Sequence, residues 1–174
     1  MCGRVCAFAV LFSITNWSNG VPVADCDRLA AAPNDPQRKT FGVLLDQINA
    51  NMAVPACEAA VREYPNDAQL SFQLSRAYYK AQNVRAAVDQ LRKAAERGYA
   101  SAQHNFGVMY EYGQGVSQDY GKALIWYRKA ARQGDEMAKN KLAQLASIDP
   151  DAKRDLNDVA AQGFLAAKSF CRTS

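Results

Sequence analysis

The sequence predicts an all-α fold, an α-solenoid of stacked antiparallel helix pairs, and three observations support this prediction. Small and large apolar residues recur at near-constant spacing, so that Ala53 corresponds to Ala87 and Ala87 to Ala123. Such self-similarity is the signature of a repeat array. No stretch sustains the apolar–polar alternation of a strand. The gaps between the predicted helices are short, and short loops make consecutive helices antiparallel neighbours.

The repeat is clearest in the second helix of each predicted pair. Three families of residues share its positions: Ala53, Cys57 and Ala60; Ala87, Leu91 and Ala94; and Ala123, Tyr127 and Ala130. Offsets of four and three residues place each family on one helix face. The string Lys-Ala-Ala-x-x-Gly occupies 93–98 and again 129–134. Its glycine suits a helix end, because glycine accepts the left-handed conformation found there.

The first helices of the pairs match as well. The matching triplets are Leu74, Ser75 and Tyr78; Phe106, Gly107 and Tyr110; and Leu142, Ala143 and Ala146. Each of the first two triplets places a small residue between large ones, which lets a neighbouring helix approach closely. The same logic assigns Trp126 and Tyr127 to packing between helices rather than to stacking on a ligand.

These motifs resemble the tetratricopeptide and Sel1-like repeat superfamily. The segment 53–99 has tetratricopeptide spacing, and 101–134 resembles a nearly complete Sel1-like repeat, from Ser-Ala-Gln-His-Asn-Phe-Gly to Arg-Lys-Ala-Ala-Arg-Gln-Gly. The N-terminal strings Cys-Asp-Arg-Leu-Ala and Val-Pro-Ala-Cys-Glu-Ala-Ala resemble exported Sel1-like proteins of alphaproteobacteria. After Leu145 the match decays, so 148–174 is interpreted as a degenerate repeat or a capping helix.

The helices are predicted over 52–64, 68–81, 84–97, 102–112, 119–133, 136–147 and 151–169. Asn51, Asp67 and Ser117 are the predicted N-caps. Repeats therefore span 52–147. The segment 25–51 contains two prolines and Gly42, so we expect an irregular lead-in with a short helical turn. Gly113 and Gly115 follow a helix without the Lys-Ser/Thr end of a phosphate loop, and we interpret them as turn residues with positive φ.

Residues 1–24 have the pattern of a secretory signal peptide. Arg4 precedes an apolar stretch over 5–14, and small and turn-forming residues follow it. We expect cleavage within 20–24, and the apolar stretch is too short for a stable membrane span. The alternative is a buried N-terminal helix of the mature fold. The prediction is a periplasmic or secreted protein.

Export changes the interpretation of the five cysteines. The signal would remove Cys2 and Cys6, leaving Cys26, Cys57 and Cys171. In an oxidising compartment one pair should form a disulfide. We predict Cys26–Cys57, because it ties the N-terminal segment onto the first repeat helix, which leaves Cys171 free or paired with another chain in a dimer. The alternative is three reduced, buried thiols.

Composition disfavours several classes of function. The net charge of +4 is mild and no run of basic residues occurs, so no nucleic-acid partner is predicted. His104 is the single histidine, and Cys-x-x-Cys, His-x-x-x-His and Ser-x-x-Lys strings are absent. Metal ligands and catalytic residues are therefore not predicted, and neither is a cofactor. The alternative is an envelope hydrolase that acts on cell-wall material or β-lactams, which would need a nucleophile beside a base.

The resemblance implies a partner-binding face. In tetratricopeptide arrays the first helix of each pair lines the concave face and meets a peptide or protein. By register, this chain would contribute Gln69, Phe72, Arg76, Tyr79 and Lys80 from one repeat, and His104, Val108, Glu111 and Tyr112 from the next. The sequence thus predicts a non-enzymatic exported adaptor or regulator that binds a protein of the cell envelope. A further alternative is a piece of a longer repeat protein.

Overall fold

The computed structural model describes residues 22–35, 37 and 40–145, and within these ranges every regular element is helical. The α-helices are α1 (Pro22–Ala30), α2 (Ala50–Glu63), α3 (Ala68–Lys80), α4 (Val84–Glu96), α5 (Ala100–Tyr112), α6 (Tyr120–Arg132) and α7 (Glu136–Leu145). A short 3-10 helix, Leu45–Gln47, precedes α2. The predicted helix over 151–169 lies outside the described residues.

The helices stack in the order of the chain. Each helix packs against the next one, and α1 packs against α3 as well as α2. The pairs α1/α2, α3/α4 and α5/α6 form the stack, which α7 continues. This arrangement confirms the predicted all-α solenoid of consecutive helix pairs.

The N-terminal lead-in differs from the expectation. The lead-in begins with the nine-residue helix α1, and Pro22 at its start is suited to a first helical turn. The short helical turn that we expected is present as the 3-10 helix Leu45–Gln47. Cys26 and Ala30 lie on one face of α1 and are fully buried. Nine residues are too few to establish a helical period beside so many turn-forming residues. Residues 22–24 of the predicted signal form the start of α1, whereas 1–21 lie outside the described residues.

The predicted disulfide is present. Cys26 on α1 and Cys57 on α2 are bonded, with their Cα atoms 4.6 Å apart. The bond joins the two helices of the first pair across 31 positions of sequence. A loop of this length contributes about 3–4 kcal/mol in the loop-entropy model. Cys171 lies outside the described residues.

The helix ends follow the predictions in part. The carboxylate of Asp67 caps α3 by accepting a hydrogen bond from the Leu70 amide at 3.1 Å, as predicted. The other two predicted caps are wrong, since α2 follows Asn49 and the Asp119 carboxylate caps α6. The glycines of the helix stops do adopt positive φ, +90° at Gly98 and +92° at Gly134, as do Gly113 and Gly115 in the α5–α6 turn.

The two helices of the Sel1-like segment approach each other closely at Gly107 on α5. A Cβ atom added there would lie 2.7 Å from Cε1 of Tyr127 on α6. Tyr127 is fully buried, and the Trp126 ring packs edge-on against Phe106 at 5.2 Å. This geometry confirms that Gly107 permits close packing and that both aromatic residues serve the core.

Candidate functional site: a groove between α3, α5 and the start of α7

A cavity of about 350 Å³ lies between the first helices of consecutive pairs. Its walls come from α3, α5, the start of α7 and the segment 31–49 that connects α1 to α2. We call this cavity the groove. Its lining residues are Ala32, Pro33, Asn34, Asp35, Leu45, Phe72, Ser75, Arg76, Tyr79, Leu91, Ser101, His104, Asn105, Val108, Met109, Gln114, Asp135 and Met137. The helices that line it are those that the resemblance assigns to the binding face.

The described residues of the connecting segment 31–49, together with the end of α1, lie across α3 and are held there by hydrogen bonds to their backbone. The Arg76 guanidinium donates to the carbonyl oxygens of Ala30 at 2.5 Å and Val43 at 2.6 Å. The Lys80 ammonium donates to the carbonyl oxygen of Asp46 at 2.7 Å. Burial lowers the pKa of Arg76 to about 10, while the nearby charge of Asp35 acts in the opposite direction. These two cations of α3 therefore bind the chain's own segment.

Two buried carboxylates add to this attachment. Asp27, 3% exposed, accepts hydrogen bonds from the amide groups of Gln69 at 3.3 Å and Gln73 at 2.5 Å. Asp35, 1% exposed, accepts one from the Tyr99 hydroxyl. Burial, then the hydrogen bond to Asp35, raises the pKa of Tyr99. Hydrogen-bonded buried carboxylates fix position, because removing a partner leaves a charge poorly solvated.

His104 on α5 and Asp135, which precedes α7, both line the groove. The His104 side chain is 7% exposed, and its Nδ1 atom has no hydrogen-bond partner among the described residues. Oδ1 of Asp135 lies 3.8 Å from Nδ1. Burial lowers the pKa of His104, and the charge of Lys141 also lowers it. The charges of Asp135 and Glu111 raise this pKa but do not outweigh burial. The imidazole is therefore neutral at pH 7 and presents one ring nitrogen as an acceptor.

A second polar cluster lies beside the groove on α5, α6 and α7. Glu111 accepts hydrogen bonds from the Tyr127 hydroxyl and from the Lys141 ammonium, the latter at 3.0 Å. Lys141 also donates to the Tyr112 hydroxyl at 3.2 Å. Burial raises the pKa of Glu111, but the hydrogen bonds from Tyr127, Lys141 and Tyr112 outweigh it, so that the net pKa is lowered. Glu111 is thus an ionised anchor between three helices.

The structure brings together part of the predicted partner-binding set. The groove is lined by Phe72, Arg76, Tyr79, His104 and Val108, whereas Gln69, Lys80, Glu111 and Tyr112 are not among its lining residues. Phe72 is 1% exposed, and Arg76 is engaged with the connecting segment. The assignment of these residues to partner binding stays a prediction.

Sequence reasoning missed two parts of the groove. Asp135 follows the helix-stopping Gly134 directly, so its place before α7 was available as a signal. Nothing in the pattern of 31–49 indicates that Asn34 and Leu45 return to the groove, because an irregular segment has no period that fixes its direction.

Two other kinds of feature are absent from the described residues. No group of three His, Cys, Asp or Glu side chains in those ranges is placed to hold a metal ion. Among the helices described, none combines the length and apolar character needed to cross a bilayer.

The stack of antiparallel helix pairs, with a groove between their first helices, is a helical solenoid whose architecture is consistent with the Sel1 and tetratricopeptide type. Residues 100–135, which comprise α5, α6 and the turn before α7, match the Sel1 repeat family.

Several curated proteins are similar in sequence to part of this chain. The chain is 46% identical over 54 residues to chitin synthase regulatory factor 3 of Schizosaccharomyces pombe, which is 31% of the chain and 6% of that protein. It is 38% identical over 55 residues, 32% of the chain and 4% of the relative, to chitin synthase regulator SKT5 of Malassezia restricta. It is 32% identical over 85 residues, 49% of the chain and 16% of the relative, to DAP3-binding cell death enhancer 1 of Mus musculus. The chain thus spans a small fraction of each relative's length.

Proposed function

We propose that this protein is a non-enzymatic adaptor or regulator that binds a segment of another protein in the groove. The observation that carries the proposal is the groove itself, an open space between the first helices of consecutive repeats. Its volume of about 350 Å³ is that of a small binding site. Mixed aromatic, aliphatic and polar walls suit the recognition of a peptide segment.

The comparisons support this class of function. The matched family is a repeat of protein-interaction adaptors and regulators, and two of the similar proteins are named regulators of chitin synthase. Each of those proteins shares only a short stretch with this chain, so the likeness supports the class of function and no particular partner.

The proposed location is the periplasm or the extracellular space, with the partner in the cell envelope. The signal-like pattern of 1–24 and the Cys26–Cys57 bond support it, because disulfides persist in oxidising compartments. Fusing residues 1–24 to a reporter enzyme that is active only after export tests this location. Reporter activity at the level of the unfused enzyme lacking any signal would contradict it.

Binding in the groove is tested with two matched variants of the Sel1 segment. Val108→Lys places a charge in the groove, while Ile125→Lys places one on α6, where Ile125 is 48% exposed and does not line the groove. Proteins captured from an envelope extract should be lost with Val108→Lys and retained with Ile125→Lys. Capture that is unchanged by Val108→Lys, in a variant with a wild-type circular dichroism spectrum, would show that partners bind elsewhere.

A further inference from the structure

The groove combines apolar walls with an acceptor pair that has unused capacity. Val108, Met109 and Met137 supply apolar lining around His104 and Asp135. Within the described part of the chain, Nδ1 of His104 is buried without a hydrogen-bond partner. Buried polar atoms in proteins are nearly always satisfied, so an unpaired one calls for an explanation. A donor supplied by a ligand is such an explanation.

The charges around the groove favour a cationic donor. Its lining includes the carboxylates of Asp35 and Asp135 and the guanidinium of Arg76. Arg76 is already engaged with the carbonyl oxygens of Ala30 and Val43. Asp35 and Arg76 carry opposite charges near each other, so Asp135 supplies the charge that distinguishes the lining around His104.

We propose that the groove binds an arginine side chain of a partner protein, with its guanidinium group donating to the carboxylate of Asp135 and, once the His104 side chain turns toward the groove, to Nδ1 of His104. The two acceptor atoms are 3.8 Å apart, and the planar fork of a guanidinium presents several N–H groups at such spacings. Its apolar stem lies along Val108, Met109 and Met137, as long cationic side chains do on apolar surfaces. This inference rests on the proposed function and names the kind of residue that the site selects.

Arginine fits these atoms better than the other candidate side chains do. A lysine ammonium carries a compact charge on a flexible stem and makes no planar two-point contact. An aspartate or glutamate would be repelled by Asp135 and would offer His104 no donor at neutral pH. A purely apolar side chain would leave Nδ1 of His104 unpaired. The expected order of preference is therefore arginine, then lysine, with acidic residues disfavoured.

Asp135 permits a clean test because it has two separable properties. Its Oδ1 atom caps α7 by accepting a hydrogen bond from the Ala138 amide at 2.8 Å. Asparagine caps helices as well as aspartate does, so Asp135→Asn removes the charge and keeps the cap. Asp119→Asn is the matched control, since Asp119 caps α6 by the same contact with the Lys122 amide at 2.9 Å and does not line the groove.

The experiment selects ligands from a random dodecapeptide display library on the oxidised full-length chain. A selected peptide is then measured by fluorescence anisotropy against the wild type, Asp135→Asn and Asp119→Asn. We expect the selected peptides to share an arginine beside an apolar residue. We expect Asp135→Asn to weaken binding about tenfold or more, as the loss of a charge-assisted hydrogen bond does, and Asp119→Asn to leave it unchanged. Replacing that arginine in the peptide by lysine and by glutamate repeats the test without altering the protein.

The outcomes separate the two proposals. The arginine inference is overturned if the selected peptides lose binding to Val108→Lys but share no arginine. It is also overturned if they bind Asp135→Asn as tightly as the wild type. In either case the groove remains the binding site. Peptides that bind Val108→Lys as tightly as the wild type, or a library that yields no ligand, overturn both.

Discussion

The first helix pair and the Sel1-like pair are built differently although they belong to one stack. In the pair α1/α2 the first helix has nine residues and the connection 31–49 is long. In the pair α5/α6 both helices have 13 residues and the turn is 113–119. The Cys26–Cys57 bond joins α1 to α2 and the buried Asp27 joins α1 to α3 through Gln73, whereas α5 and α6 meet at the close fit of Gly107 to Tyr127.

The difference shows how a short helix is retained in a repeat array. A nine-residue helix buries little apolar surface, and burial of apolar surface is the main source of stability. Covalent and charge-assisted contacts supply what α1 lacks, through Cys26 and Asp27. In the Sel1-like pair two 13-residue helices meet at the close contact of Gly107 with Tyr127, and the hydrogen bond from Tyr127 to Glu111 adds to that packing.

The largest effect is expected from removing the disulfide. The double variant Cys26→Ala/Cys57→Ala should lower the free energy of unfolding by about 3–4 kcal/mol, measured by urea denaturation. Amide exchange should rise in α1 and the segment 31–49 and change least in α5 and α6. Reductant should reproduce the loss in the wild type and leave the double variant unchanged. A loss spread evenly over all helices would remove the contrast between the two pairs.

A smaller loss of stability is expected when a side chain is added at the close contact between α5 and α6. Gly107→Ala should cost about 2–3 kcal/mol, because its Cβ atom would lie within 3 Å of the Tyr127 ring. The same change at Gly121 on α6 is the control. A Cβ atom there would approach nothing closer than 3.4 Å, so Gly121→Ala should stabilise by up to about 1 kcal/mol. Thermal melts of the two variants that shift in the same direction would contradict the role assigned to close packing.

The polar attachment of the connecting segment is tested by Tyr99→Phe. The change removes the hydroxyl that donates to the buried Asp35, and an undersatisfied buried acceptor costs about 1–2 kcal/mol. Chemical denaturation should show this loss. Adding Asp35→Asn to the Tyr99→Phe variant should recover part of it, because a neutral amide is easier to bury than a carboxylate. An additive loss in the double variant would show that the two groups act independently.

A pH dependence is expected from the cluster of the Sel1-like pair. The pKa of Glu111 is lower in the folded chain than its ordinary value, because Tyr127 and Lys141 stabilise the ionised form. Its contribution to stability is therefore complete above the unfolded pKa of about 4.3 and is lost as the pH falls through the folded pKa. Unfolding of the wild type between pH 6 and pH 3 should show this decline. Glu111→Gln should have a shallower slope over that range, and an identical slope would contradict the assignment.

The sequence predicted the regular helix pairs better than the N-terminal part of the fold. Positions with a helical period, such as Gly107 and Tyr127, were correctly assigned to close packing, since spacing alone fixes the face of a helix. The Cys26–Cys57 pairing was also correct, because few cysteines remained to choose from. The helix α1 and the course of 31–49 were not predicted, since both depend on contacts with α3 and α5 that no local pattern encodes. The helices that line the groove were predicted, but the wall contributed by 31–49 was not.

The contacts of segment 31–49 also bear on how the chain folds. The hydrogen bond from Tyr99 to Asp35 joins residues 64 positions apart, and the contact of Asn34 with Met137 joins residues 103 positions apart. Repeat arrays ordinarily fold by adding neighbour to neighbour, since each unit contacts only the next. Contacts at such separations are slow to form, because a long loop must close before they contribute. We therefore expect α3 to α7 to assemble first and the N-terminal segment to pack against them last. Refolding should then end in a slow phase in which 31–49 completes the wall of the groove.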